Sequence, residues 1–224
     1  MKHLLISIPK AGTHMINQAI ERRNFENIHW GSLVYEPDPH PMTLETIYKS
    51  TKDFGRTHAP YHPAYEKAIR DKGILAVFLY RDPRDLMVSY YEWTKKLGHT
   101  GTSIPGLIDE VTTFLEADDP FMEMMEWFGE HVRRYIPWLC VPEVLPVKYE
   151  ELLGNRVVVC QRILDFWGTD RYGTGEQMAA RMKPGTSDTF RKGIAGDWQN
   201  YFAQHHKITF ECKFKETMKM LGYW

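Results

Sequence analysis

Short apolar runs alternate along the chain with longer segments in which apolar residues recur every three or four positions. The apolar runs lie near residues 3–8, 74–80 and 143–147, and a shorter one ends just before residue 58. Continuous apolar runs are typical of strands buried on both faces of a parallel sheet, and the recurring spacing is typical of helices. The pattern therefore predicts one α/β domain over residues 1–224, a three-layer α/β/α arrangement with a central parallel sheet.

The segments between the apolar runs give the predicted helices. These lie at residues 13–24, 44–50, 61–71, 84–97, 106–116, 120–136, 157–166 and 208–221, with a further short segment near 28–34. In the segment 120–136 the apolar side chains share one helix face, which predicts that they belong to the core. They are Phe121, Met124, Met125, Phe128, Val132 and Tyr135.

The first strand ends in a turn that leads directly into a helix. The turn contains Pro9, Lys10, Ala11 and Gly12, and the helix begins at Thr13. The first amides of a helix lack internal partners and carry partial positive charge, Lys10 adds a full charge, and Thr13 adds a hydroxyl. The turn is therefore predicted to bind a phosphate group, although it lacks the G-x-x-x-x-G-K-[ST] pattern of nucleoside-triphosphate loops. An ordinary turn with a solvated lysine is the alternative.

Two later segments add cations at positions suited to an anionic ligand. Arg81 directly follows a central apolar run, and Ser89 lies about two turns into the next helix. Both side chains are predicted to reach the crevice where parallel sheets bind ligands. Near the end of the chain, Arg191 and Lys192 stand beside Gly193, a combination that suits a loop closing on a phosphate.

In their order and spacing, these three segments resemble the sulfotransferase family, most closely its cytosolic type. Family members transfer a sulfuryl group from 3′-phosphoadenosine 5′-phosphosulfate (PAPS) to a hydroxyl or amine and release 3′-phosphoadenosine 5′-phosphate (PAP). The P-loop-like phosphosulfate loop of the family, Tyr-Pro-Lys-Ser-Gly-Thr-Thr-Trp, is similar to residues 8–15. Its late Arg-Lys-Gly-x-x-Gly-Asp-Trp sequence matches residues 191–198, and its arginine–serine pair matches Arg81 and Ser89.

The resemblance extends over essentially the whole chain and implies a site for PAPS and PAP without a metal. The first loop would hold the 5′-phosphosulfate, the arginine–serine pair and the late segment would clamp the 3′-phosphate, and Tyr149 would lie near the adenine. The family usually has threonine and tryptophan where this chain has His14 and Met15, so other residues would stack on the base. The implied cofactor-binding residues are Lys10, Ala11, Gly12, Thr13, His14, Met15, Arg81, Ser89, Tyr149, Arg191, Lys192 and Gly193.

One histidine between the first two segments matches the catalytic base of the family. The family's Lys-Thr-His-x-Pro sequence corresponds here to residues 56–60, with Arg56 in the position of the lysine. Histidine is suited to accept a proton because its ordinary pKa lies near neutral pH. The resemblance thus implies direct in-line transfer with His58 as the general base. Lys10 and Arg56 would stabilise the charge that develops around the transferring group.

The overall charge and the cysteine content limit the partners and the location. The 224 residues carry a net charge of −1, which argues against nucleic acid and anionic membranes as partners. The three cysteines are widely spaced, and Pro9 and Lys10 interrupt the apolar start well before it could span a membrane. We therefore expect reduced thiols, a cytoplasmic location and a small-molecule acceptor as the partner, with the oligomeric state left open.

Two alternatives to a small-molecule sulfotransferase stay open. One is a carbohydrate sulfotransferase, although that class commonly uses a glutamate base. The other is a protein that binds PAP without catalysis, although such a protein has no use for a base at His58. A P-loop kinase is disfavoured because neither loop carries paired carboxylates suited to hold magnesium. Some apolar side chains of residues 120–136 could also line an acceptor pocket instead of the core.

Overall fold

A computed structural model describes residues 1–20, 25–27, 39–100, 114–183 and 192–224, with the backbone alone at 25–27, 97–100 and 126. The described residues form two compact units. The first unit contains the described strands and the shorter helices, and the second contains the three longest described helices. That the chain folds as one domain stays a prediction.

The first unit is built on a parallel sheet. Its strands are β1 (His3–Ser7), β2 (Phe25–Asn27), β3 (Phe54–Thr57), β4 (Leu75–Tyr80) and β5 (Val144–Lys148). They lie in the order β2-β3-β1-β4-β5, and each pairing between neighbours is parallel. The chain passes from β3 to the opposite side of β1 to form β4, so the direction of winding reverses at β1. The predicted α/β class with a central parallel sheet is confirmed.

The described helices alternate with these strands. They are α1 (Thr13–Ala19), α2 (Pro41–Lys49), α3 (Pro63–Asp71), α4 (Pro83–Thr100), α5 (Pro120–Arg133), α6 (Tyr149–Gly154), α7 (Arg156–Trp167), α8 (Gly175–Arg181) and α9 (Gln204–Met220). Proline is the first residue of α2, α3, α4 and α5. Its fixed φ suits the first helical position, where no amide hydrogen is needed for an internal bond. These prolines therefore mark where the helices begin.

Helix α7 packs against the sheet of the first unit. Its indole Trp167 Nε1 donates to the carbonyl oxygen of Leu75 at 3.1 Å, at the start of β4. Val159, Ile163 and Leu164 on the same helix are buried. Full burial of an aliphatic side chain contributes about 1.5–3 kcal/mol. Helix α7 is thereby tied to the start of β4.

The second unit contains α4, α5 and α9. The apolar side chains predicted for the core of residues 120–136 are all buried there, so that prediction is confirmed. Helix α5 begins after Asp119, whose carboxylate accepts from the amide of Met122 at 3.2 Å and so caps the helix.

The structure shortens one predicted helix and adds two helices, α6 and α8, that were not predicted. Helix α1 ends at Ala19 instead of residue 24, because Ile20 takes an extended conformation (φ −94°, ψ 110°) on the way to β2. Helix α8 was not predicted, although Thr174 and Gln177 form a capping box in which each side chain bonds the other residue's backbone. The predicted segment 28–34 and most of 106–116 lie outside the described residues.

The cysteines and the helix lengths bear on the predicted location. Cys140, Cys160 and Cys212 are all free thiols, as predicted. In the described part of the chain, no helix combines the length and the apolar character needed to cross a bilayer. The cytoplasmic location stays a prediction.

Candidate active site

Four neighbouring strands of the first unit end at polar residues. Ser7 is the last residue of β1, His58 follows β3, Arg81 follows β4, and Tyr149 follows β5. Because these strands are parallel and adjacent, the four residues lie along one edge of the sheet. Ligands of open α/β sheets bind outside this edge, near the strand where the winding reverses. The fold therefore brings together residues that are far apart in the sequence.

The turn after β1 has a backbone that few residues adopt. Lys10 has φ 71° and Gly12 has φ 96°, both in the left-handed region. Of the residues that the structure describes, Lys10 is the only non-glycine residue with a positive φ. Such conformations cost about 1–3 kcal/mol and cluster at ligand-binding sites. The strain at Lys10 therefore favours the phosphate-binding interpretation of this turn over an ordinary connection.

The ring of Tyr149 packs against both the turn and Arg81. A Cβ atom added at Gly12 would lie 2.6 Å from Tyr149 Cδ2, a separation that no side chain tolerates. The guanidinium carbon of Arg81 lies 4.5 Å from the centroid of the same ring, a cation–π contact. Tyr149 and Arg81 are both buried. Tyr149 thus links the turn predicted to hold the 5′-phosphosulfate with the arginine predicted to hold the 3′-phosphate.

The hydrogen bonds of His58 fix its tautomer. Nδ1 lies 2.8 Å from the carbonyl oxygen of Ser7 and 3.1 Å from the hydroxyl of the same residue. A carbonyl oxygen can only accept, so Nδ1 carries the proton and donates it. In the neutral ring, Nε2 is then the nitrogen with the lone pair. This arrangement defines which atom of His58 can act as a base.

The environment keeps the His58 ring neutral. Burial is the largest of the causes that lower the pKa of His58 to about 4, and Arg56, His14 and Lys10 contribute in the same direction. The hydrogen bond to the Ser7 carbonyl opposes this shift without reversing it. At neutral pH the imidazole is therefore ready to accept a proton at Nε2.

Ser7 joins His58 to the turn and was not predicted from the sequence. Its hydroxyl lies 2.8 Å from the hydroxyl of Thr13, in addition to its contact with His58. The side chain is buried at the end of β1. The only sequence signal that could have pointed to Ser7 was its position as a polar residue at the end of an otherwise apolar strand. Its two partners could not be foreseen because one of them comes from a strand about fifty residues later.

The other predicted residues of the turn and of β3 surround this centre. Arg56 lies on β3, two residues before His58, and its charge is one of those that lower the pKa of that histidine. Ala11 is fully buried, whereas His14 and Met15 on α1 are partly exposed. His14 also acts on His58 through its charge.

The residues predicted to clamp the 3′-phosphate are described only in part. Lys192 is exposed, and Gly193 has φ 65°, a left-handed conformation that suits a tight loop. Arg191 lies outside the described residues. Ser89 is buried on α4 in the second unit. That these residues share one phosphate remains a prediction.

A buried carboxylate in the second unit binds the backbone of residues 196–198, the Gly-Asp-Trp end of the segment 191–198. Asp85 is fully buried and accepts from the amides of Gly196 at 2.7 Å and Trp198 at 3.0 Å. Arg84 pairs with Asp82 at 2.7 Å and stacks over the ring of Trp198 at 4.1 Å. Asp85 lies in the first turn of α4, and its bonds to this loop were not predicted from the sequence. The structure shows that α4 also organises this loop.

We expect Asp85→Asn to destabilise the protein by about 2–3 kcal/mol, measured by denaturant unfolding, because the amide nitrogen of asparagine would face a backbone donor. Amide hydrogen exchange at Gly196 and Trp198 should accelerate at the same time. Asp118→Asn, an exposed carboxylate in the same unit, is the control. Unchanged exchange at Gly196 and Trp198 in the Asp85 variant would contradict the assigned role.

A second cluster of ionisable groups lies in the second unit. Asp119, His205 and His206 bring possible ligand atoms within 4.8 Å of one another. Nδ1 of His206 accepts from the amide of Ala203 at 3.0 Å, so its Nε2 carries the proton and donates to Asp119 at 2.8 Å. A metal bound at Nε2 would place the proton on Nδ1, where the Ala203 amide already donates. The cluster therefore fits a hydrogen-bonded link between the start of α5 and α9 better than a metal site.

Residues 1–222 match the family model described as the sulfotransferase domain. Mouse sulfotransferase 2B1 is 27% identical over 188 residues, an alignment that covers 72% of this chain and 53% of that protein. That alignment therefore spans about half of the relative's length. The flavonol 4′-sulfotransferase of Flaveria chlorifolia is 30% identical, with 97% of this chain and 79% of that protein covered.

A solved structure supports the same grouping at the level of the fold. The crystal structure of a mouse sulfotransferase complexed with PAP matches with a TM-score of 0.67 and covers 97% of this chain and 84% of that chain. The sequence identity is 20%, so this likeness establishes the fold alone.

Proposed function

The chain belongs to the sulfotransferase family, and from that membership we propose that it transfers a sulfuryl group from PAPS to a hydroxyl or amine of a small-molecule acceptor, with His58 as the general base. The observation that carries this proposal is the state of His58. Its ring is neutral, its Nδ1 proton is held by Ser7, and Nε2 is the basic atom. A protein that only binds a nucleotide has no need for such a group beside an anion-binding turn.

The residues around the turn fit the donor. The backbone strain at Lys10 and the close packing of Tyr149 on Gly12 support a loop shaped for a ligand. Lys10, Ala11, Gly12, Thr13, His14 and Met15 would hold the 5′-phosphosulfate. Arg81, Ser89, Arg191, Lys192 and Gly193 would hold the 3′-phosphate, and Tyr149 would lie near the adenine. PAPS, when bound, supplies an activated sulfuryl group attached to a good leaving group.

In the proposed sulfuryl transfer, the protein supplies a general base and positive charge. His58 would take the proton of the acceptor at Nε2 as the acceptor oxygen or nitrogen attacks in line. Lys10 and the hydroxyl of Thr13 would stabilise the negative charge on the departing oxygen. Arg56, as a planar fork instead of the family's lysine, would add charge to the same region with different geometry. In this proposal the reaction uses no metal.

Transfer of ³⁵S from labelled PAPS to a panel of acceptors tests the proposal. The panel contains a simple phenol, a flavonol, a hydroxysteroid, an aryl amine and an oligosaccharide. We expect label on at least one of the small molecules. Label on the oligosaccharide alone would assign a carbohydrate sulfotransferase instead. PAP binding without transfer to any acceptor would favour a non-catalytic nucleotide-binding protein.

The lowered pKa of His58 predicts the acid limb of the pH profile. A base acts in its neutral form, and a folded-state pKa of about 4 keeps His58 neutral well below the ordinary range of histidine. We therefore expect kcat/KM for PAPS to stay constant from neutral pH down to about pH 5 and to fall through about pH 4. This parameter reports the enzyme before the donor binds. A fall centred near the ordinary histidine pKa would contradict the environment described for His58.

A further inference from the structure

We propose that Ser7 is a positioning residue that links the hydroxyl of Thr13 to the His58 ring, so that an anion bound at the phosphosulfate loop strengthens His58 as a base. This inference rests on the proposed function and concerns the same site. Its structural basis is a continuous chain of three polar side chains, from the start of α1 to the end of β3.

The position of Ser7 in the sheet makes its hydroxyl a fixed point. Ser7 is 0% exposed, and it pairs with Leu79 in the register of β1 and β4. The next amide, that of Ile8, donates to the carbonyl of Leu79 at 3.2 Å. Strand β4 therefore holds the backbone of Ser7, and the preceding residue, Ile6, also pairs with Thr57 of β3. Its side chain can change the direction of its hydroxyl hydrogen but has little room to move.

The tautomer of His58 fixes the direction of its hydrogen bonds to Ser7, and the proposal assigns Ser7 as the donor to Thr13. Because Nδ1 carries the proton, the Ser7 hydroxyl oxygen accepts at 3.1 Å, as the Ser7 carbonyl does at 2.8 Å. The hydroxyl hydrogen of Ser7 can then be donated to Thr13 Oγ1 at 2.8 Å. The hydroxyl hydrogen of Thr13 remains to be donated to an anion at the turn. With Ser7 as the donor to Thr13, the hydrogen bonds run in one direction, from the imidazole to the ligand.

This direction gives the link a physical consequence. When Thr13 donates to an anion, its oxygen becomes a stronger acceptor for Ser7, and the Ser7 oxygen becomes a stronger acceptor for Nδ1–H. Hydrogen bonds in such chains strengthen one another. A stronger bond at Nδ1 makes Nε2 more basic, as it does when a carboxylate or carbonyl orients a catalytic or metal-bound histidine.

The hydrogen-bonded link through Ser7 matters because the charged groups around His58 reduce its affinity for the proton of the acceptor. Arg56 on β3, His14 on α1 and Lys10 in the turn all lower the proton affinity of the ring. A base whose pKa is about 4 before the donor binds gains from any contact that raises it afterwards. The hydrogen bonds through Ser7 would raise the pKa of His58 only when a ligand occupies the phosphosulfate loop. His58 would then be a weak base in the empty enzyme and a stronger one in the complex.

The test is the titration of His58 followed by ¹⁵N NMR of histidine-labelled protein, with and without saturating PAP. The His58 signal is assigned by its loss in His58→Asn. PAP raises the pKa by its own charge in every variant, so the quantity of interest is the difference between variants. We expect the PAP-induced rise to fall by at least half in Ser7→Ala and to return in Ser7→Thr, which restores a hydroxyl. The affinity for PAP should change less than about threefold in Ser7→Ala.

Thr13→Val removes the hydroxyl at the other end of the same series of hydrogen bonds and leaves Ser7 intact. We expect it to reduce the PAP-induced rise as Ser7→Ala does, and the double variant should lose no more than the more affected single variant, because coupled contacts are not additive. An unchanged rise in Ser7→Ala would assign Ser7 a merely structural role and overturn the proposal. Failure of the wild-type protein to bind PAP would instead count against the proposed function, so the two failures are distinguishable.

Discussion

Replacing His58 with alanine is expected to lower kcat by about 10²–10⁴-fold, because proton transfer by a positioned base contributes roughly that factor. The affinity for PAP should change by less than about threefold, since His58 is assigned to the acceptor and not to the nucleotide. The backbone of the turn after β1 is set by the left-handed conformations of Lys10 and Gly12, so we expect the turn to persist in the variant. Steady-state kinetics and calorimetry on the same preparation measure both effects.

His205→Ala is the matched control for this experiment. His205 is an exposed histidine of the second unit, and its Nε2 contacts Asp119. We expect turnover close to that of the wild-type protein in this variant. Normal turnover in His58→Ala would show that another group removes the proton and that His58 has only a structural role.

We expect that Gly12→Ala shows no binding at micromolar concentrations of PAP and has a lower melting temperature than the wild-type protein. The backbone at Gly12 has φ 96°, and the added Cβ would lie 2.6 Å from Tyr149 Cδ2. The tyrosine ring has little room to retreat, because it is 4% exposed and Arg81 packs on it. The turn must therefore open, which displaces Lys10 from its left-handed conformation. Calorimetric titration with PAP and thermal unfolding measure the two effects.

Gly73→Ala separates the backbone cost from the collision with Tyr149. Gly73 also has a left-handed φ, 60°, but an added Cβ there would meet no atom within 4 Å. Its substitution should cost about 1–2 kcal/mol of stability and leave the affinity for PAP unchanged. If Gly12→Ala were as mild as Gly73→Ala, the packing of Tyr149 on the turn would have no role in ligand binding.

The sheet was predictable because its strands are continuous apolar runs. The strands beginning near residues 3, 75 and 144 were located to within one or two positions, and β1 to within one residue of its end. Helix α1 was predicted too long because residues 21–24 contain no glycine or proline that would mark a helix end, whereas the helix ends at Ala19. Helix α8 was missed because it is short, although the capping box at Thr174 was a usable local signal.

The residues of the candidate site were predictable as types, but their connections were not. Lys10, His58 and Arg81 were recognised from motifs in three separate segments. The tautomer of His58 depends on the carbonyl of Ser7, which only the pairing of β1 with β3 brings near. The packing of Tyr149 on Gly12 likewise depends on β5 lying beside β4. Contacts between distant segments carry no local sequence signal, so the structure alone supplies them.

Calorimetric titration with PAP, with ATP and adenosine 5′-phosphosulfate as comparison ligands, tests the central claim most directly. The proposed function predicts tight binding of PAP that depends on the 3′-phosphate, so both comparison ligands should bind at least about tenfold more weakly. Equal binding of ATP and PAP, or no binding of PAP, would contradict the assignment of the loop, Arg81 and the late basic segment to this nucleotide.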